Sequence, residues 1–445
     1  MLSSSRTHLI LSLCALFLAA DSGASLPAAG TATWQDTIVI VRRGESLTTI
    51  AARHFFRNQF STITSLAEWI GRYNRLEGSS LITGQTLRVP IGLTETPLQA
   101  VGERDHRLPA RGVYFTAQMA GSVRGMELAD QVIAAGGNAI VFDIKDRAGD
   151  LSYESEVALA KETSACNLVT IRDPVYFVNQ LQERGLHVVA RLSCFYDEHL
   201  AGQRPDLRPR SRDGGPWAEG GAPGWLDPSL EEVQKYLLEL VGEVADLGVD
   251  EIQLDYVRFP TEGAVQNAVF AFDPDTLAKH EVITEFVRRA RTVVASRDVL
   301  LSADIFGVVA WGREADVAST GQQLSGLMPY LDVVSPMLYP SHFRPGFHEV
   351  DDPTAYPYYF VYNGCERLRE IAAEHDVTVR PWIQAFAHRV TSFDPVFVTE
   401  QMLGAEDGGA SGWLLWNPRS RYEVGLEAME RYANGTAGAL RRLPP

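Results

Sequence analysis

Three aspartates interrupt otherwise apolar runs: Asp143 in Val141-Phe142-Asp143-Ile144-Lys145, Asp255 in Ile252-Gln253-Leu254-Asp255-Tyr256, and Asp304 in Leu301-Ser302-Ala303-Asp304-Ile305. A carboxylate in apolar surroundings is expensive unless it is paired or functional. Two carboxyl groups flanking a glycosidic bond supply a nucleophile or base and a general acid. Lys145, Arg191 and Arg258 are the cations available to hold one carboxylate ionised while burial keeps another protonated. Tyr256, Tyr339, Trp382 and Trp416 offer flat apolar platforms for sugar rings, and Gln384 a polar contact. The plainer alternative pairs Asp143 with Lys145 and Asp255 with Arg258 as loop-tying salt bridges and puts the Trp residues in the core.

These residues lie in a series of short β-branched or aromatic runs: Gly112–Thr116, Ala139–Lys145, His187–Phe195, Glu251–Phe259, Val299–Gly307, Leu331–Tyr339, Val379–Phe386 and Gly412–Pro418. Amphipathic stretches separate them, such as Met126–Ala135, Pro174–Arg184, Leu230–Leu247, Thr276–Ala295 and Cys365–His375. Several end in helix-capping glycine, as at Gly136, Gly185 and Gly248. Apolar strands separated by helices predict a parallel sheet. Eight units in about 320 residues predict an α/β fold, a (β/α)8 TIM barrel over residues 111–433. A doubly wound open sheet is the alternative, but no GxGxxG or GxxxxGK[ST] follows any run. A barrel presents its chemistry at the C-terminal ends of its strands, where polar groups such as the three aspartates deserve a functional reading. Long loops over Phe195–Asp227 and Tyr339–Asn363 would build a cleft there. His342 and His348, in the second loop, read as sugar contacts or surface residues.

The run Gln253-Leu254-Asp255-Tyr256-Val257-Arg258-Phe259-Pro260 resembles the LDYxR[FY]P signature of a largely uncharacterised group of bacterial barrels assigned to glycoside hydrolysis. Phe142-Asp143-Ile144-Lys145-Asp146 and Ser335-Pro336-Met337-Leu338-Tyr339-Pro340 are similar to its other strand-end motifs. The resemblance spans the barrel. It implies a polysaccharide-acting enzyme related to the retaining hydrolases, with Asp255 as the strand-four nucleophile. The acid stays open between Asp304, which stands where many relatives carry Glu, Glu262 just beyond strand four, and Asp143. A DxxDxDxE chitinase motif is absent, which argues against substrate-assisted chitin cleavage. The rival reading is a catalytically silent glycan-binding or envelope-assembly protein on the same scaffold.

Ahead of the barrel, Ile38–Val41 reads as a strand, and Ser46 as the cap of a helix that turns Leu47, Ile50 and Ala51 to one face. A second helix from about Ser65 to Leu76 carries Leu66, Trp69, Ile70 and Tyr73 as its buried stripe, and Leu87–Pro90 closes the unit. Arg43-Gly44-Glu45-Ser46-Leu47, Tyr73-Asn74 and Gly84-Gln85-Thr86-Leu87-Arg88-Val89-Pro90 resemble a LysM domain. That implies a βααβ module over residues 38–91 binding N-acetylglucosamine-containing glycan such as peptidoglycan; a module that only packs is the alternative.

Arg6 followed by the apolar run Leu9–Ala20, with small residues behind it, reads as a secretory signal over residues 1–30. A membrane-spanning helix needs roughly 20 apolar residues, so no transmembrane anchor is expected in the mature form and the protein should be periplasmic or extracellular. Residues 92–110 read as a linker and 434–445 as a C-terminal tail. The 445 residues are 45% hydrophobic and 22% charged, an ordinary globular balance. The net charge of −16 argues against nucleic acid as a partner. Cys166, Cys194 and Cys365, left once Cys14 is removed with the signal, lack the spacing of a disulfide framework or zinc site, so no metal or cofactor is expected.

Overall fold

The computed structural model describes residues 35–55, 63–76, 78, 80–91, 107–435 and 441–444. The expected signal, most of the expected linker and part of the tail lie outside them.

The small unit is βααβ. Strand Gln35–Ile40 pairs antiparallel with Thr86–Ile91, and helices Leu47–His54 and Ile63–Tyr73 come between them in the chain. Ser46 caps the first helix in a reciprocal pair with Thr49, each side-chain oxygen accepting from the other's backbone N–H. Val39, Ile50, Leu66, Ile70, Leu87 and Val89 form a separate small core. Tyr73, expected in the buried stripe, is 40% exposed and stacks on Trp69. The inward line of that helix continues from Leu66 and Ile70 to Asn74, four residues on each time. Asn74 spends its amide on the backbone of Arg88, with one bond in each direction at 2.8 Å.

Eight parallel strands close into a barrel surrounded by helices. In chain order they are Ala110–Phe115, Ala139–Lys145, His187–Ser193, Glu251–Asp255, Leu300–Phe306, Val333–Met337, the pair Thr378–Val379 and Trp382–Gln384, and Gly412–Trp416. The seventh is split at Arg380-Pro381, since proline brings no N–H to the ladder. The last strand seals against the first, Leu414 opposite Gly112. Gly412 makes that seam possible: its φ is 88°, and a Cβ there would lie 2.0 Å from the Ala110 carbonyl oxygen.

Two expected boundaries move. The fourth strand, expected to reach Phe259, stops at Asp255 because Tyr256 takes a left-handed φ of 50°. The helix expected over Cys365–His375 starts at Pro357 and runs to Ala373. Its first turns take in the end of the expected loop Tyr339–Asn363, since Pro357 is pre-set for a first helical turn. The loops after the third and fourth strands are stitched by a short ribbon, Arg210–Ser211 against Ala268–Val269. Among the described residues no helix is long and apolar enough to cross a membrane.

Candidate active site

Register brings the chemistry together. Gln253 lies opposite Ser302 and Leu254 opposite Ala303, so Asp255 and Asp304 reach the same level on neighbouring strands. Asp143 lies opposite Arg191 on the other side of the fourth strand. At the C-terminal end of the barrel, Arg191, Asp255, Tyr256, Arg258, Asp304, Tyr339, Trp382 and Trp416 line one hollow of about 440 Å³.

Arg191 is the hub. Its Nη1 donates to Asp143 Oδ1 at 2.5 Å, its Nε to Asp255 Oδ2 at 3.0 Å, and its Nη2 also donates to Asp255. The same Nε stands 3.9 Å from Asp304 Oδ2. Through that shared nitrogen the two Oδ2 atoms lie within about 7 Å of each other, a bound that fits the roughly 5 Å of a retaining pair and also the near end of the inverting range. Arg191 is held in turn by the faces of Trp416 and Tyr114, whose ring centroids lie 4.9 and 5.5 Å from its Cζ. Tyr114 also donates its hydroxyl to Asp143.

The aspartates differ in environment. Asp255 accepts from Arg191 on Oδ2 and from the Tyr256 N–H, 2.5 Å away, on Oδ1; the left-handed turn at Tyr256 follows directly. Asp304 is fully buried and accepts from the indole N–H of Trp382 at 2.7 Å. Burial, then the neighbouring Asp255, push Asp304 well above the usual carboxylate range, against the pull of Arg191 and Trp382. Burial also raises Asp143, to about 6, although Arg191 and Tyr114 oppose it.

Lys145, Gln384 and Asp143 stand off the hollow, and others at its wall have unexpected partners. Lys145 is fully buried outside the hollow, paired with Asp197 at 2.8 Å and donating to the Ser193 carbonyl at 2.9 Å. It does not pair with Asp143, whose oxygens Arg191 and Tyr114 already hold. Gln384 accepts from the Ser341 N–H and donates to the carbonyls of Phe386 and His388, so it fixes two loops rather than meeting a sugar. Asp143 braces Arg191 from behind the hollow. Trp382 lines the hollow at 1% exposure and donates its indole N–H to Asp304. Arg258 forms no salt bridge with Asp255; its guanidinium packs among aromatic rings. Glu262 and His342 both line the hollow. Burial, then the neighbouring His388, hold His342 below the usual imidazole range.

Tyr114, Phe306, Gly307, Met337 and Phe343 escaped the sequence reading. Tyr114 alone carried a signal, a polar-tipped aromatic near the end of the first strand run. Gly307 leaves bare backbone at the hollow because a Cβ would sit 2.4 Å from the Met337 carbonyl oxygen. Among the described residues no group of three or more His, Cys, Asp or Glu is placed to hold a metal ion.

Solved structures share the architecture. The glycoside hydrolase domain of PgaB (BpsB) from Bordetella bronchiseptica is 14% identical with a TM-score of 0.54, over 73% of this chain and 98% of that one. A β-galactosidase from the psychrophilic Marinomonas ef1 is 10% identical with a TM-score of 0.53, over 74% of this chain and 59% of that one. At these identities the likeness is one of fold. A hypothetical protein from Ruminiclostridium thermocellum ATCC 27405 is 33% identical over 43% of this chain and 97% of its own, with a TM-score of 0.39. No curated protein matches the chain. Residues 112–422, more than half of the chain and nearly the whole barrel, match the family DUF4015, described as "Putative glycosyl hydrolase domain", and the chain belongs to that family.

Proposed function

We propose that this protein is an exported retaining glycoside hydrolase acting on an envelope or extracellular polysaccharide. The observation that carries the reading is the unequal carboxyl pair: Asp304 buried and pushed toward its protonated form, Asp255 held by a guanidinium, both facing one hollow. Asp304 gives its proton to the glycosidic oxygen while Asp255 attacks the anomeric carbon. Asp304, now ionised, then takes a proton from the water that releases the sugar. Asp255 Oδ2 already accepts two guanidinium N–H groups, whereas Oδ1 accepts from the Tyr256 N–H and keeps a further lone pair for the attack. The βααβ unit with its LysM-like turns would hold the enzyme on N-acetylglucosamine-containing glycan, peptidoglycan being the first substrate to try.

Asp255→Asn should lower hydrolysis by several orders of magnitude. Asp304→Asn should cost about 10²–10⁴-fold, and a substrate with an activated leaving group should rescue it alone. One observation favours a silent glycan-binding protein: Arg191 and the Tyr256 N–H occupy both Asp255 oxygens. If neither substitution changes turnover of any envelope polysaccharide while glycan binding persists, that second reading stands.

A further inference from the structure

Arg258 is a pocket cation with a different environment from Arg191. It is 9% exposed and lines the hollow. Its Cζ lies 4.1 Å from the Phe306 ring centroid, 4.7 Å from that of Trp225 and 5.6 Å from that of Tyr256. Among the described residues its hydrogen bonding is a single contact, Nη1 to the Phe259 carbonyl at 2.9 Å, and no carboxylate comes within ion-pair distance. Asp255, Glu219 and Glu262 act on it only at longer range, and burial holds it below the usual guanidinium range. A guanidinium carries five N–H donors in a planar fork. Aromatic faces offset part of its desolvation but accept none of those donors conventionally. Its geometry leaves a buried positive fork, met by one backbone carbonyl and no carboxylate, at the wall of the hollow that holds Asp255 and Asp304.

We propose that Arg258 forms an anion subsite, so that the hollow takes a saccharide unit bearing a negatively charged substituent, a carboxylate or a phosphate. This rests on the reading of the hollow as the glycan site and names its substrate class. The fork that meets no carboxylate of its own chain receives the substrate's, bidentately.

The test is calorimetric titration of the full chain with matched saccharides: a glucuronate-terminated disaccharide, its glucose-terminated counterpart and the 6-phosphorylated form. Wild type should bind one acidic form at least tenfold more tightly than the neutral one, and which form wins identifies the substituent. Arg258→Met, which keeps an apolar stem between the rings, should reduce that preference to near unity. Arg258→Lys, which keeps the charge without the fork, should retain part of it. Acidic forms that bind no better than the neutral one, or a preference that survives in Arg258→Met, overturn the proposal. Arg258-dependent preference without hydrolysis of any polysaccharide upholds the subsite and overturns the hydrolase. Hydrolysis of a neutral polysaccharide with no acidic preference does the reverse.

Discussion

At the N-terminal end of the barrel strands, Glu251 meets Arg380 Nη1 at 2.7 Å and His187 Nε2 at 2.9 Å, whereas at the C-terminal end three aspartates gather around Arg191. Both clusters are buried in the same barrel. Burial alone would raise Glu251, yet Arg380 and His187 overcome it and hold the group down to about 2. Around Arg191 burial prevails over the single cation: it raises Asp143 to about 6 and, with Asp255 beside it, pushes Asp304 well above the usual carboxylate range. Matched charge holds strands together; unmatched charge stores a proton at a carboxyl that faces a hollow. Perturbed carboxyls at the open end of a barrel are therefore the functional candidates, and the charge-matched pair at the closed end is structural.

Removing the cation from each end should separate the two roles. Arg380→Met leaves Glu251 buried with His187 alone, and chemical denaturation should show a loss of about 3–5 kcal/mol. Arg191→Met frees carboxyls beside an open hollow, where they can take up protons, so its stability loss should be smaller and its loss of hydrolysis larger. Equal destabilisation by the two substitutions would break the comparison.

The ends should also answer pH in opposite senses. Asp143 titrates higher folded than unfolded, so its contribution is full below about 3.9 and is lost as pH rises through about 6. Glu251 titrates lower folded than unfolded, so its contribution is full above about 4.5 and is lost as pH falls through about 2. Each is on the order of 3 kcal/mol at most. Asp143→Asn should flatten the stability profile between pH 4 and 6, at about those limits. Glu251→Gln should flatten only the acid side. A common effect of both on one side would show that the clusters are coupled.

The barrel was legible because its strands are apolar nearly throughout and its helices end in glycine; Ala139–Lys145 matches its expected bounds to the residue. The level of Asp255 and Asp304 was legible for the same reason, since strand runs of similar length end together. Pairing was not. Lys145 lies two residues from Asp143 and so faces the same way along an ideal strand, but the ladder shifts register between them and Lys145 turns to Asp197. Arg191 was named as a cation, but nothing in its own strand shows that it would reach three aspartates from three strands. Trp382 looked like any core or platform tryptophan, because the direction of its indole N–H depends on a carboxyl two strands away around the barrel.

That indole N–H gives the smallest and sharpest test. Trp382 donates to Asp304 Oδ1 at 2.7 Å and so favours its ionised form, against burial and Asp255, which favour the protonated one. Trp382→Phe keeps an aromatic ring inside the barrel and removes only this donor and part of the ring volume. A hydrogen bond to a charged group contributes roughly 1.5–3 kcal/mol, so its loss should lift Asp304 by about one pH unit or somewhat more. Under the proposed mechanism hydrolysis requires protonated Asp304 and fails as pH rises through its titration. The alkaline limb of the pH–rate profile should therefore move upward in Trp382→Phe, while the rate at the optimum falls only a few-fold. Asp304→Asn should abolish that limb altogether on an activated substrate. An alkaline limb that stays in place in Trp382→Phe would transfer the acid's role to Glu262, the third carboxyl lining the hollow.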